Sequence, residues 1–134
     1  MLAKNLTRFA TDNPGVPIVL IGHSQGAAHI RNTLKKCSKD VQQTIMCLII
    51  EPAKYIPREI CKDVIHITNK SGLRDPITRI DVRGRRQAKS EKTIMNVKSA
   101  RGAPLFDHSL DSISYREAIE DAYGKLLDRQ GIKP

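Results

Sequence analysis

Two short apolar runs, Pro17-Ile-Val-Leu-Ile21 and Ile45-Met-Cys-Leu-Ile-Ile50, limit what this chain can fold into more than any other feature. Both are continuous rather than alternating and rich in β-branched side chains, so they read as strands buried on both faces of a sheet. Each is far shorter than the ~20 residues that cross a bilayer as a helix. Between them, Ala27–Lys36 carries Ala28, Ile30 and Leu34 as a helix, with Lys35 and Lys36 at the negative pole of its dipole.

The same alternation extends in both directions. Leu2, Leu6, Phe9 and Ala10 fall at helical spacing until Asn13-Pro14-Gly15 stops them. After the second run, Pro57–Lys62 reads as a short helical turn opened by proline, Val64–Thr68 as a third strand and Thr93–Val97 as a fourth. Ser114-x-x-Glu117 is a capping box, and Ile119, Ala122, Tyr123, Leu126 and Leu127 line one face of a last helix stopped by Gly131 and Pro134. Short apolar strands alternating with helices predict an α/β fold, a parallel sheet of about four strands flanked by helices, in a single domain over residues 1–134. A chain of 134 residues that is 40% hydrophobic is globular rather than disordered. The three cysteines lack C-x-x-C spacing and suggest neither a disulfide framework nor a zinc site, which makes a reducing, cytoplasmic compartment the default expectation. Met1–Ala10 has no signal-peptide pattern, because Lys4, Asn5, Thr7 and Arg8 interrupt its apolar residues.

The chemistry is concentrated where the first strand meets the following helix. Gly22-His-Ser24-Gln-Gly26 is G-x-S-x-G between a buried strand and a helix, the context in which this motif makes a sharp turn that lifts a serine hydroxyl above the sheet edge. Gly22 and Gly26, lacking a β-carbon, are expected to let strand and helix approach closely. Ser24 would then lie at a helix N-terminus, with the Gln25 backbone N–H as one oxyanion donor. The competing reading is a plain glycine-flanked turn or a phosphate-binding loop.

A serine nucleophile needs a base. His23 and His29 lie too close in sequence to reach back, and His66 falls mid-strand, where a structural role is more common. His108 lies between the fourth strand and the last helix, where a loop returns over the turn, and is the choice for the base. The acid that orients it is expected between the two in chain order. Asp75, in the loop after the third strand and held by Pro76 in an extended segment, is preferred; Glu51 is the alternative and Asp81 a distant third.

With Gly22-His23-Ser24-Gln25-Gly26 as elbow, Arg74-Asp75-Pro76-Ile77-Thr78 as acid loop and Asp107-His108-Ser109 as histidine loop, the chain resembles the α/β-hydrolase superfamily. The resemblance covers the second half of that fold, from the elbow strand to the last helix. It implies a partial hydrolase-type sheet lacking the N-terminal strands and the loop that carries the other oxyanion donor. The wording around the elbow is also similar to a group of chlamydial proteins with a hydrolase-like C-terminal domain, which implies an N-terminal region ahead of this one. Either such a region or a strand-pairing partner is expected to cover the apolar edge of the elbow strand. The activity implied is serine hydrolysis of an ester, thioester or amide, on a small-molecule or lipid-like acyl substrate. The alternative is a catalytically weak or inactive interaction domain, part of a membrane-associated or secreted bacterial protein. No metal cluster, dinucleotide fingerprint or P-loop lysine is present, so no cofactor or metal is expected.

The net charge of +9 is concentrated in one stretch. Arg79, Arg83, Arg85, Arg86, Lys89 and Lys92 stand against Asp81 and Glu91, a local excess of four positive charges. This reads as a solvated loop joining the last two strands, with an anionic surface contact as the sharper alternative. Nucleic acid is disfavoured, since no aromatic side chain interleaves the run to stack on bases.

Overall fold

The computed structural model describes residues 1–69, 76–97 and 115–133. Its centre is a four-stranded, all-parallel sheet formed by β1 (Ile18–His23), β2 (Ile45–Ile50), β3 (Asp63–Asn69) and β4 (Ile94–Val97), which lie side by side in chain order. The helices are α1 (Leu2–Asp12), α2 (Gln25–Leu34), α3 (Lys39–Gln42), α4 (Val82–Ser90) and α5 (Arg116–Arg129). Two 3-10 turns, Arg58–Ile60 and Pro76–Arg79, complete the described elements.

The continuous apolar run of β2 is explained by its two coated faces. Ile45, Cys47 and Ile49 point to a core layer shared with Leu6 of α1, with Ala27, Ile30 and Leu34 of α2, and with Val41 of α3. Met46, Leu48 and Ile50 point the other way, toward Ala122, Leu126 and Leu127 of α5. Because successive side chains alternate across a strand, only an unbroken apolar run fills both layers. Every residue of β2 and of β3 is buried.

Four expectations need correction. β1, at the edge of the described sheet, is not buried on both faces as its run predicts: its residues are only partly buried apart from Gly22, and Ile21 is 57% exposed. Ile18 and Leu20 still pack under α1 and α2, and Val19 packs toward α5, so the run is apolar without being covered at its outer end. The basic stretch is a helix, not a loop. Asp81 caps α4 by accepting the Gly84 N–H at 3.2 Å, and Ala88 buries the inner face. A β-carbon on Gly84 would stand 2.2 Å from the Asp81 carboxylate, so a larger residue there would displace the cap. The last helix begins at Arg116 with Tyr115 at its cap position, so Glu117 falls one place short of the capping-box partner; Ser114 lies outside the described residues. Tyr123 is 42% exposed, off the stripe formed by Ala122, Leu126 and Leu127.

Candidate active site

Ser24 alone makes the turn from β1 to α2: the strand ends at His23 and the helix begins at Gln25. Its backbone sits at φ 54°, ψ −118°, a combination outside the left-handed well that non-glycine residues occasionally occupy. Such a conformation costs of order 1–3 kcal/mol and persists only where the surroundings fix it. Here three hydrogen bonds do so. The Ser24 N–H continues the parallel ladder onto the Ile50 carbonyl at 3.1 Å, and the Ser24 carbonyl accepts the N–H groups of Ala27 and Ala53, both at 3.2 Å. The side chain is half-buried.

The two glycines of the motif differ. A β-carbon on Gly22 would lie 2.7 Å from Ile30 Cδ1, 3.3 Å from Ile49 Cδ1 and 3.4 Å from the Ala27 nitrogen, so this glycine is where strand and helix close on each other. Around Gly26 nothing lies within 4 Å of the corresponding position, and the expected close approach is absent there. Gln25 is exposed at the first position of α2. In that place a backbone N–H has no acceptor within the helix and carries the positive end of the dipole, which suits a developing oxyanion.

Asp75 and His108, the expected acid and base, lie outside the described residues. The end of the acid loop is described: Pro76–Arg79 is a 3-10 turn that starts directly at the proline, and the segment ahead of it, expected to be extended, lies outside the described residues. It is held from behind by the Tyr55 hydroxyl, which donates to the Thr78 carbonyl at 3.0 Å.

Glu51, the alternative acid, follows the last residue of β2, and Ile50 is both its predecessor and the acceptor of the Ser24 N–H. Like Ser24 it has a positive φ, 46°, but it is fully buried. Its Oε1 accepts the Asn69 N–H from the end of β3 at 2.8 Å and the hydroxyl of Tyr115 from the start of α5. A carboxylate so placed ties β2, β3 and α5 together at the carboxyl end of the sheet. Asn69 and Tyr115 escaped the sequence reading, since nothing in their surroundings marks a carboxylate partner; the charge of Glu51 straight after six apolar residues was the available signal.

His66 has the structural role anticipated for it. The Ile56 N–H donates to Nε2 at 3.0 Å, which leaves the proton on Nδ1 to be donated to Thr93 Oγ1 at 3.0 Å, and the Thr93 hydroxyl donates on to the Ala88 carbonyl at 3.2 Å. Burial pushes its pKa down to about 3, so the ring is neutral near pH 7. The Tyr55 ring lies 5.0 Å from it, and burial pushes the Tyr55 phenol up to about 12. Asp81, the third acid candidate, accepts the Tyr55 N–H at 3.0 Å besides capping α4, so it braces the start of that helix. His23 ends β1, half-buried, and His29 is exposed on α2.

Among the described residues no group of three or more His, Cys, Asp or Glu side chains is disposed to hold a metal, and no helix is long and apolar enough to cross a membrane. No protein-family model, curated protein or solved structure matches this chain.

Proposed function

We propose that this chain is a serine hydrolase unit of the α/β-hydrolase type, acting on an ester, thioester or amide through an acyl-enzyme on Ser24. The observation that carries the reading is the backbone of Ser24. A non-glycine residue held at φ 54°, ψ −118° between a parallel strand and a helix, over a glycine that admits no β-carbon, is the geometry a nucleophile elbow requires. The order of the sheet supports it further. With β1 to β4 adjacent and parallel, the segments after β1, β3 and β4 all leave from the same end of the sheet, and these hold Ser24, Asp75 and His108 in that chain order.

In this mechanism His108 takes the proton of Ser24 Oγ as the hydroxyl attacks the acyl carbonyl, and the Gln25 N–H stabilises the oxyanion. The imidazolium then protonates the leaving group; water attacks the acyl-enzyme with His108 again as base, the imidazolium returns its proton to Ser24 Oγ, and the acyl group leaves as the carboxylic acid. Asp75 orients the imidazole. Glu51 is the second reading for that role, favoured by its burial beside the Ser24 strand end.

Turnover of a short-chain p-nitrophenyl ester separates these assignments. His108→Ala is expected to lower kcat about 10⁴-fold, and Asp75→Asn by a similar factor while Glu51→Gln keeps most of the activity. Loss with Glu51→Gln and not with Asp75→Asn would transfer the role to Glu51. A folded wild-type chain with no turnover above that of Ser24→Ala would leave a hydrolase-like interaction domain as the function.

A further inference from the structure

The basic run between β3 and β4 presents one organised face. Arg79, Val82, Arg86 and Lys89 recur at spacings of three and four residues, so they stack along one side of the Pro76–Arg79 turn and α4. With Arg85 they line an open groove of about 300 Å³. Arg85 is half-buried, and its Nε is enclosed without a hydrogen-bond partner among the described residues. Two aliphatic side chains are exposed where this run begins: Val82, which lines the groove, is 61% exposed, and Ile80, between the turn and α4, is 65% exposed.

That combination selects among anionic partners. Cations alone would suit any polyanion. A nucleic acid offers ribose and bases, for which stacking side chains are the usual complement, and residues 79–92 contain none. Exposed aliphatic groups beside arginines match an interface that is anionic at the surface and apolar just beneath. We infer that the Arg79–Lys89 face is a docking surface for an anionic lipid bilayer, with Arg79, Arg86 and Lys89 on the headgroups and Ile80 and Val82 entering the acyl boundary. The groove would take the phosphate of a headgroup, within reach of Arg85.

The placement relative to Ser24 follows from two backbone contacts. Ala53 donates to the Ser24 carbonyl, and Tyr55, two residues on, donates to the Asp81 carboxylate that caps α4. The apolar pair at the start of α4 and the serine turn therefore belong to the same end of the molecule. Docking does not depend on catalysis, and its test needs none.

The test is cosedimentation of the chain with vesicles of phosphatidylcholine alone or with about one-third phosphatidylglycerol. Binding to the anionic vesicles alone, weakened by salt, is expected. Each basic residue at an anionic surface contributes about fivefold, so Arg79→Gln/Arg86→Gln/Lys89→Gln should weaken binding on the order of a hundredfold. Ile80→Ser/Val82→Ser should weaken it on the order of tenfold while leaving heparin binding unchanged. The chain has no tryptophan, so a Val82→Trp variant adds a readout that is independent of the neutralised proteins. Its emission should shift to the blue on anionic vesicles and stay unshifted with inorganic phosphate or heparin. Equal binding to neutral vesicles, an unshifted Val82→Trp emission, or heparin binding that displaces vesicles with no dependence on Ile80 and Val82 would overturn the proposal, the last in favour of a polyanion site.

Discussion

Neighbouring strands β1 and β2 are each followed by a residue at positive φ, Ser24 at 54° and Glu51 at 46°, and the two positions are handled in opposite ways. Glu51 turns its side chain inward. Its carboxylate is fully buried and receives donors from β3 and α5, so the unusual backbone accompanies a polar brace. Three backbone hydrogen bonds pin Ser24 at the edge of the described sheet, with its hydroxyl carried on the turn. Strain at Glu51 is thus coupled to stability, and strain at Ser24 to the direction of the hydroxyl proposed as nucleophile. The braced interior and the serine edge should respond differently to perturbation.

The largest expected effect belongs to the interior. The folded-state pKa of His66, about 3, lies below its ordinary value of 6.5, so the unfolded chain takes up the proton first as pH falls. Stability is therefore full above pH 6.5 and declines by about 1.4 kcal/mol per pH unit toward pH 3, on the order of 5 kcal/mol in all. Urea melts across this range check the slope, and His66→Gln should flatten it. Glu51→Ala comes next, at about 3 kcal/mol, because it leaves the Asn69 N–H and the Tyr115 hydroxyl buried without their acceptor. Denaturant midpoints measure this loss, and a cost as small as a surface substitution would remove Glu51 from the interior brace.

At the edge the effects are smaller and change sign. Gly22→Ala should cost about 2 kcal/mol, since Ile30 and Ile49 must give way to the new methyl group. Gly26→Ala meets nothing within 4 Å and should leave stability unchanged or raise it slightly, through the better helix propensity of alanine. Ser24→Gly should stabilise the fold by about 1 kcal/mol by releasing the strained backbone, while removing the nucleophile. Thermal melts of the three variants test the contrast. Destabilisation by Ser24→Gly would mean that the turn is relaxed and that the comparison with Glu51 fails.

The sequence made some of this legible and concealed the rest for physical reasons. The run Ile45–Ile50 identifies its own strand because both faces must be apolar at once. Ile18–Ile21 carries the same signal, yet a run cannot report whether a neighbour exists on its outer side, and Ile21 proves exposed. The helix α4 was hidden because only Ala88 among its residues is buried, which leaves no apolar stripe; its marker was the pair Asp81 and Gly84, a cap and the glycine that admits it. The serine turn was readable from the motif, whereas the differing roles of its two glycines depend on Ile30 and Ile49, residues distant from the motif in sequence. His108 and Asp75 come from motif spacing and chain order, and lie outside the described residues.

The central claim is that Ser24 is a nucleophile. Incubation of the folded chain with a fluorophosphonate, followed by intact mass and peptide mapping, addresses it directly. The account predicts one phosphonyl group per chain, located on Ser24, absent from Ser24→Ala and from Ser24→Gly although both variants are folded. A folded wild-type chain that stays unmodified, or an adduct on any other residue, would contradict it.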